Sequence, residues 1–175
     1  DDIGASLSSL QIYGAIAEKT FADNPDKAME MIKKISRRSK IIMESMNDIV
    51  WSMKPDADAA ATLEAKIKNY GVELLSDKSI SFSYHINPDV ESLMRNMLAR
   101  KNILLIIKEA MNNIAKYSKA READLQINVE NADCIIRISD DGAGFDTAHP
   151  NEGNGLKNME HRTKELKGTF AIQSS

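Results

Sequence analysis

The chain has 175 residues, 42% hydrophobic and 28% charged, ordinary values for a globular protein that exclude collagen-like, disordered and disulfide-stapled classes. With 23 basic and 26 acidic residues the formal net charge is −3, so no basic surplus advertises nucleic acid. The single cysteine, Cys134, cannot close an internal disulfide and fits a reducing compartment, and no apolar run approaches the roughly 20 residues of a membrane span. The chain opens at Asp1 without an initiating methionine and stops at Ser175 inside an expected strand, so it reads as a fragment making no membrane contact of its own.

From Asp1 to about Lys54 the hydrophobic period is helical. Ile3, Leu7, Leu10, Gly14, Ala17 and Phe21 follow spacings of four and three. After Asp23-Asn24-Pro25 the pattern resumes as a heptad seam of Ala28, Ile32, Ile35, Ser39, Ile42, Met46, Ile49 and Met53. Asp23 or Asn24 can cap the second helix, and Pro25 suits its first turn. The segment reads as an antiparallel helical hairpin. Two helices cannot close a core around such seams, whereas two hairpins of a symmetric dimer can, as a four-helix bundle. The alternative is that the hairpin packs on its own downstream domain. Pro55 and Asp56-Ala57-Asp58 mark the boundary, giving residues 1–55 and 56–175 as the two domains.

Past that boundary the expected elements are mixed. A helix spans 61–76, a strand Ile80 to Tyr84, and after Asn87-Pro88 a long helix runs from Leu93 to Lys116. Two strands at Ala123–Glu130 and Cys134–Ser139 turn at Asn131-Ala132-Asp133. A helix at 156–166 and a strand at Thr169–Gln173 close the chain. Such mixing, with neighbouring strands in hairpins, implies an α+β sandwich of sheet and helices.

Three clusters could carry chemistry. Glu109 and Asn113 are four apart and share a helical face, with Lys116 three further on and close to the same side. A carboxylate, an amide and an ammonium together suit a hydrated magnesium ion and phosphates, although such residues also make an ordinary wet helix face. Asp140-Asp141-Gly142-Ala143-Gly144 ends a buried strand, and Gly142 and Gly144 permit positive φ and close backbone approach to a ligand. Asp-Gly is equally common in a simple turn. Gly153-Asn154-Gly155-Leu156 opens a helix whose free amides form an anion site. The histidines at 85, 149 and 161 share no metal-ligand spacing and read as strand, loop and helix-surface residues. Cys134 reads as a passive core thiol.

In order, these clusters read E-x-x-x-N, D-x-G-x-G and G-x-G-L, which resembles the N, G1 and G2 boxes of the GHKL ATPase superfamily across roughly Ala61 to Ser175. Asp1-Asp2-Ile3-Gly4-Ala5-Ser6-Leu7 resembles the H-box of the HisKA_3 class of sensor histidine kinases. Asn47-Asp48-Ile49-Val50-Trp51-Ser52-Met53-Lys54-Pro55 resembles that class's junction to the ATPase domain, and Glu160-His161-Arg162 with Leu166-Lys167-Gly168 fits its usual ending.

The resemblance implies a kinase that binds ATP and Mg²⁺ and phosphorylates a histidine immediately before Asp1, which this chain lacks. It then passes the phosphoryl group to an aspartate of a response-regulator receiver domain. It implies Asp140 as acceptor for the adenine amino group, Gly142 and Gly144 beside base and sugar, and Asn113 as Mg²⁺ ligand. Glu109 is implied as orienting the magnesium's water or assisting proton transfer and Asp1 as the acid that holds the acceptor imidazole's tautomer, Lys116 as a phosphate contact, and Gly153, Gly155 and Leu156 as the lid end and phosphate-facing helix start. A homodimer through the hairpin follows, as does a cytoplasmic portion of a protein anchored in the inner membrane. Tyr117 stands where the family usually has histidine, and a phenol cannot become cationic near neutral pH. The family's last strand would lie past Ser175. A non-catalytic dimeric scaffold and a GHKL ATPase outside signalling are the competing readings.

Overall fold

The computed structural model describes residues 2–53, 62–93, 96–145 and 154–174, and its architecture is α+β. Asp1, the boundary turn at 56–58, His149, most of the expected lid and Gly153 lie outside the described residues. The chain divides into two compact units, Asp1–Trp51 and Ser52–Ser175.

The first unit is α1 (Asp2–Thr20) and all but the last two residues of α2 (Pro25–Met53). The break falls where the capping residues require it: Asn24 Oδ1 accepts the Lys27 amide at 3.0 Å, and Pro25 opens the first turn. Lys34 Nζ lies 5.9 Å from the centre of the Tyr13 ring, so the helices face one another there. The expected heptad seam divides in two. Ala28 and Ile42 are buried and Ile35 and Ile49 half-buried, whereas Ile32, Met46 and Met53 are 45%, 52% and 61% exposed. Among the described residues one of the seam's two rows is covered, and the other is exposed except at the half-buried Ser39. Met29, Met43 and Val50 extend the exposed row on its far side.

The second unit is built on a sheet of order β1-β2-β3, with β1 at Ser81–Ile86, β2 at Glu122–Glu130 and β3 at Asp133–Asp140. β2 and β3 form the expected antiparallel hairpin, turning through Asn131 and Ala132 at φ 51° and 69°. β1 pairs with β2 in parallel, not as a hairpin. The helical crossover between them makes this unavoidable, because it returns the chain to the same end of the sheet. That crossover holds a short helix, α4 (Val90–Leu93), and then α5 (Met97–Asn113). Asn96, whose Oδ1 accepts the Leu98 amide at 2.8 Å, caps α5 and so separates what the sequence reads as one long helix. A π-helical turn, Ile114–Ser118, ends it.

Before β1 lies α3 (Leu63–Ser76), capped by Thr62, whose hydroxyl accepts the Ala65 amide at 3.1 Å. Gly71 lets it approach the sheet: a β-carbon there would come within 2.5 Å of Phe82 Cε1. Alternation places Ala123, Leu125 and Ile127 of β2 in the core, with Leu75 and Ile80 before β1 and Ile107 and Met111 of α5. α6 (Gly155–Glu165) packs on α5 and buries Met159. Residues 169–173 form no strand. Lys167, at φ 59°, and Gly168 carry the chain past α6, and Ser174 meets Phe145, five residues beyond β3, through one bond of 2.7 Å from the Phe145 amide to the Ser174 hydroxyl. One side-chain bond builds no ladder.

Candidate functional site

Glu109 and Asn113 stand one turn apart near the end of α5, both half-buried. α3 holds this turn from the flanking positions. Asn112 Nδ2 donates to the Tyr70 hydroxyl at 2.6 Å, and Lys108 Nζ lies 4.7 Å over the Tyr70 ring. From the sequence Tyr70 is only an apolar position, and Asn112 is overlooked beside its neighbour.

Gly155 reaches the same two residues from α6. A β-carbon on it would collide with Glu109 Oε1, lie 3.2 Å from Glu109 Cδ and 3.6 Å from Asn113 Nδ2. The E-x-x-x-N and G-x-G-L clusters are therefore in contact, and a side chain at 155 would displace the Glu109 carboxylate from its present position. Asn154, before α6, makes no side-chain cap, so the first-turn amides keep their capacity for an anion. Leu156 follows, half-buried.

The acidic cluster joins through Ser118. The Ala143 amide donates to the Ser118 carbonyl at 2.8 Å, while the Ser118 hydroxyl donates to the Ile114 carbonyl at 2.8 Å and accepts the Ala120 amide at 3.0 Å. Gly142 is confined as tightly: a β-carbon would meet the Ser118 carbonyl and lie 2.6 Å from Asp140 Oδ1. Gly144 takes φ 65°, the left-handed region glycine tolerates.

The two aspartates divide their work. Asp141 Oδ1 accepts the amides of Arg121 at 2.7 Å and Glu122 at 2.8 Å, tying the loop to the start of β2. Those amides, Glu122's foremost, hold its carboxyl below the ordinary aspartate range. Asp140 Oδ1 accepts the Gly142 amide at 2.9 Å. Its residue pairs with Ala123, whose side chain belongs to the core face, so Asp140 leaves the sheet on the side where the helices lie. The structural roles of Ser118 and Asp141 go unread in the sequence. The second acid of Asp-Asp-Gly was the available signal.

Lys116 sits on the π-turn and is exposed, as is Tyr117. The wider i→i+5 spacing alters the α-helical offset by which Lys116 was placed beside Asn113. His85 and His161 are exposed, His161 Nε2 lying 3.8 Å from Glu165 Oε1. Among the described residues no group of three or more histidine, cysteine, aspartate and glutamate side chains could hold a metal. Magnesium needs no such group, since it is commonly held by one or two protein oxygens, phosphates and water. The Asn113 side chain, unused as a cap on the π-turn and flanked by Glu109, suits that donor set. Burial pushes the Cys134 thiol up, which suits a passive residue.

No family model matches the chain. It is 26% identical to the sensor histidine kinase DesK of Bacillus subtilis (strain 168), over 99% of this chain and 45% of that protein. With the sensor histidine kinase LiaS of the same organism the identity is 21%, over 99% and 48%. With the sensor histidine kinase MctS of Rhizobium johnstonii it is 29%, over 100% and 38%. The chain is a relative of the sensor histidine kinases, as the order of its three boxes implies. It spans about half or less of the length of these curated relatives.

Proposed function

We propose that the chain is the dimerisation and ATP-binding portion of a two-component sensor histidine kinase. Residues 1–55 form the dimerising helical hairpin and 56–175 the GHKL sandwich. The observation that carries this reading is the convergence just described: Gly155 seated on Glu109 and Asn113, with the Asp140–Gly144 loop held by Ser118 at the end of the same helix. Mg-ATP is the substrate, and the γ-phosphoryl goes to a histidine preceding Asp1, then to a receiver-domain aspartate of a response regulator.

Asp140 selects adenine by accepting its amino hydrogen; guanine presents a carbonyl there, and two acceptors facing one another reject it. Gly142 and Gly144 leave room for base and sugar, while Gly155 and Leu156 begin a helix whose amides face phosphate, as Gly153 does before it. Magnesium, when bound at Asn113, neutralises charge on the phosphates. Glu109 would orient a water there or assist proton transfer, and Lys116 would face the phosphates from the π-turn. Asp1 fixes the tautomer of the acceptor imidazole. The exposed row Ile32, Met46 and Met53 supports a second hairpin as the partner that covers it. Among the described residues no helix is long and apolar enough to cross a membrane, and we place the chain on the cytoplasmic side of an anchored protein.

Calorimetry tests the nucleotide site. Mg-ATP should bind and Mg-GTP should not, and Asp140→Asn should cost about 2–3 kcal/mol of ATP affinity, the scale of a hydrogen bond to a charged group. Equal affinity of parent and variant removes Asp140 from the site. With the acceptor histidine present, labelled ATP should give acid-labile phosphoprotein that Asn113→Ala abolishes; no label in the parent leaves a dimeric scaffold.

A further inference from the structure

Asn102 is 1% exposed, yet it is an amide and takes no part in the chemistry proposed above. Its Nδ2 donates to Glu165 Oε2 at 3.0 Å, and its Oδ1 faces Arg162 Nη1 at 3.5 Å, so both of its polar ends are spent across the interface from α5 to α6. Burying an amide is tolerable only with such partners. Helical spacing adds a second fact. Asn102, Glu109 and Asn113 lie seven and eleven residues apart on one stripe of α5, and Gly155, Met159 and Arg162 lie on one stripe of α6. The two stripes meet antiparallel, with Asn102 against Glu165 and Arg162 at one end, and Glu109 and Asn113 against Gly155 at the other. From Asn102 to Glu109 is two turns, roughly 10 Å at 1.5 Å per residue.

We propose that Asn102, clamped by Glu165 and Arg162, is a positioning residue. It fixes where α6 lies along and around α5, and thereby seats Gly155 on Glu109 and Asn113. The stripe between the two contacts is short and rigid, and Met159 is buried midway, so a shift at the clamp is transmitted rather than absorbed. Gly155 lies directly against the carboxylate: a β-carbon there would displace the Glu109 side chain from its present position. The effect of the clamp on nucleotide rests on the Mg-ATP reading; its effect on α6 does not.

The test uses Asn102→Asp, which keeps shape and the oxygen facing Arg162 but sets a carboxylate against Glu165. Without nucleotide, amide exchange at residues 158–162 should quicken roughly tenfold or more, since losing a buried hydrogen bond to a charged group exceeds one decade in an equilibrium constant. Exchange in the β2–β3 ladder should not change. Adding Glu165→Gln restores a donor and should return the protection. Glu165→Ala, at the more exposed end, gives the same local loosening should Asn102→Asp fail to fold.

Unchanged exchange at 158–162 in both single variants, or no rescue by Glu165→Gln, overturns the clamp. Mg-ATP affinity then tests the transmission. Asn102→Asp should weaken binding in the parent and have little further effect in a Gly155→Ala background, where the added methyl has already displaced the Glu109 carboxylate. Strictly additive losses overturn the positioning role. A parent that binds no Mg-ATP defeats the nucleotide reading alone, and the exchange measurements still decide the clamp.

Discussion

The two units solve the burial problem differently. The second covers its sheet with helices of its own chain and leaves Leu75, Leu104, Ile107, Met111, Leu125 and Ile127 without solvent contact. The first buries Ala17, Ala28, Met31 and Ile42 but leaves Leu7, Phe21, Ile32 and Met46 at 45% exposure or more. A unit with its own sheet is finished by folding. A pair of helices carrying two hydrophobic rows covers one of them within the pair, and on the proposed reading a second hairpin covers the other. Stability of the first unit should therefore depend on protein concentration, and that of the second should not.

The sharpest way to break this contrast is to put a charge on each row. Ile42 is 8% exposed, so Ile42→Glu buries a carboxylate without a partner and should remove most of the helical signal of α1 and α2, a loss of several kcal/mol. Met46→Glu places the same charge on the open row. It should keep the helices and convert the dimer to monomer in light scattering at tens of micromolar. A parent that is monomeric there, or a dimer indifferent to Met46→Glu, moves the interface elsewhere. Next in size, Leu125→Ala should cost about 2–5 kcal/mol of the second unit's denaturant stability. It should leave association untouched; coupled loss of both would mean the units do not fold independently.

Gly142→Ala should cost about 1–3 kcal/mol, the usual range for a backbone position with no room for a side chain, with a larger fall in ATP affinity than Gly144→Ala if Ser118 truly sets the loop. The smallest effect belongs to Asp141. Its carboxyl is held below the ordinary 3.8, so its stabilisation is complete above that value and is lost as the pH falls below it through the lowered folded value. Asp141→Asn keeps an oxygen for both amides but no charge. The gap in melting temperature between parent and variant should be open at pH 7 and close towards pH 3; a constant gap means the staple works without its charge.

Much of this was legible from periodicity and punctuation. The helix break at Asn24-Pro25, the β2–β3 turn at Asn131-Ala132 and α6 after its glycine all rest on residues adjacent in sequence, and each forms near where such signals place it. What was not legible depends on partners far along the chain. Nothing near Asp141 announces that it will hold amides 121 and 122, and nothing near Gly155 names Glu109. The parallel pairing of β1 follows from its crossover, which strand pattern alone does not encode. The heptads located the seam of α2, but a repeat of seven cannot tell which of its two rows is covered within the chain: Ile42 is covered and Met46 is not. The π-turn is a backbone adjustment with no composition of its own, and it displaces Lys116 from where α-helical spacing puts it.

Cys134 is the second residue of β3, opposite Val129 and one pair inside the hairpin turn, and its half-buried thiol resists ionisation. Since only thiolate reacts, an alkylating reagent near neutral pH should find this sulfur slow while the hairpin is closed and ordinary once it opens. As the chain's sole cysteine it needs no competing thiols removed. The protein thus carries its own stopwatch: the rate of pulse alkylation, read by mass, times the opening of the β2–β3 hairpin, whose last residue is Asp140, and compared with and without nucleotide it tells whether a ligand at one end of that hairpin steadies the other.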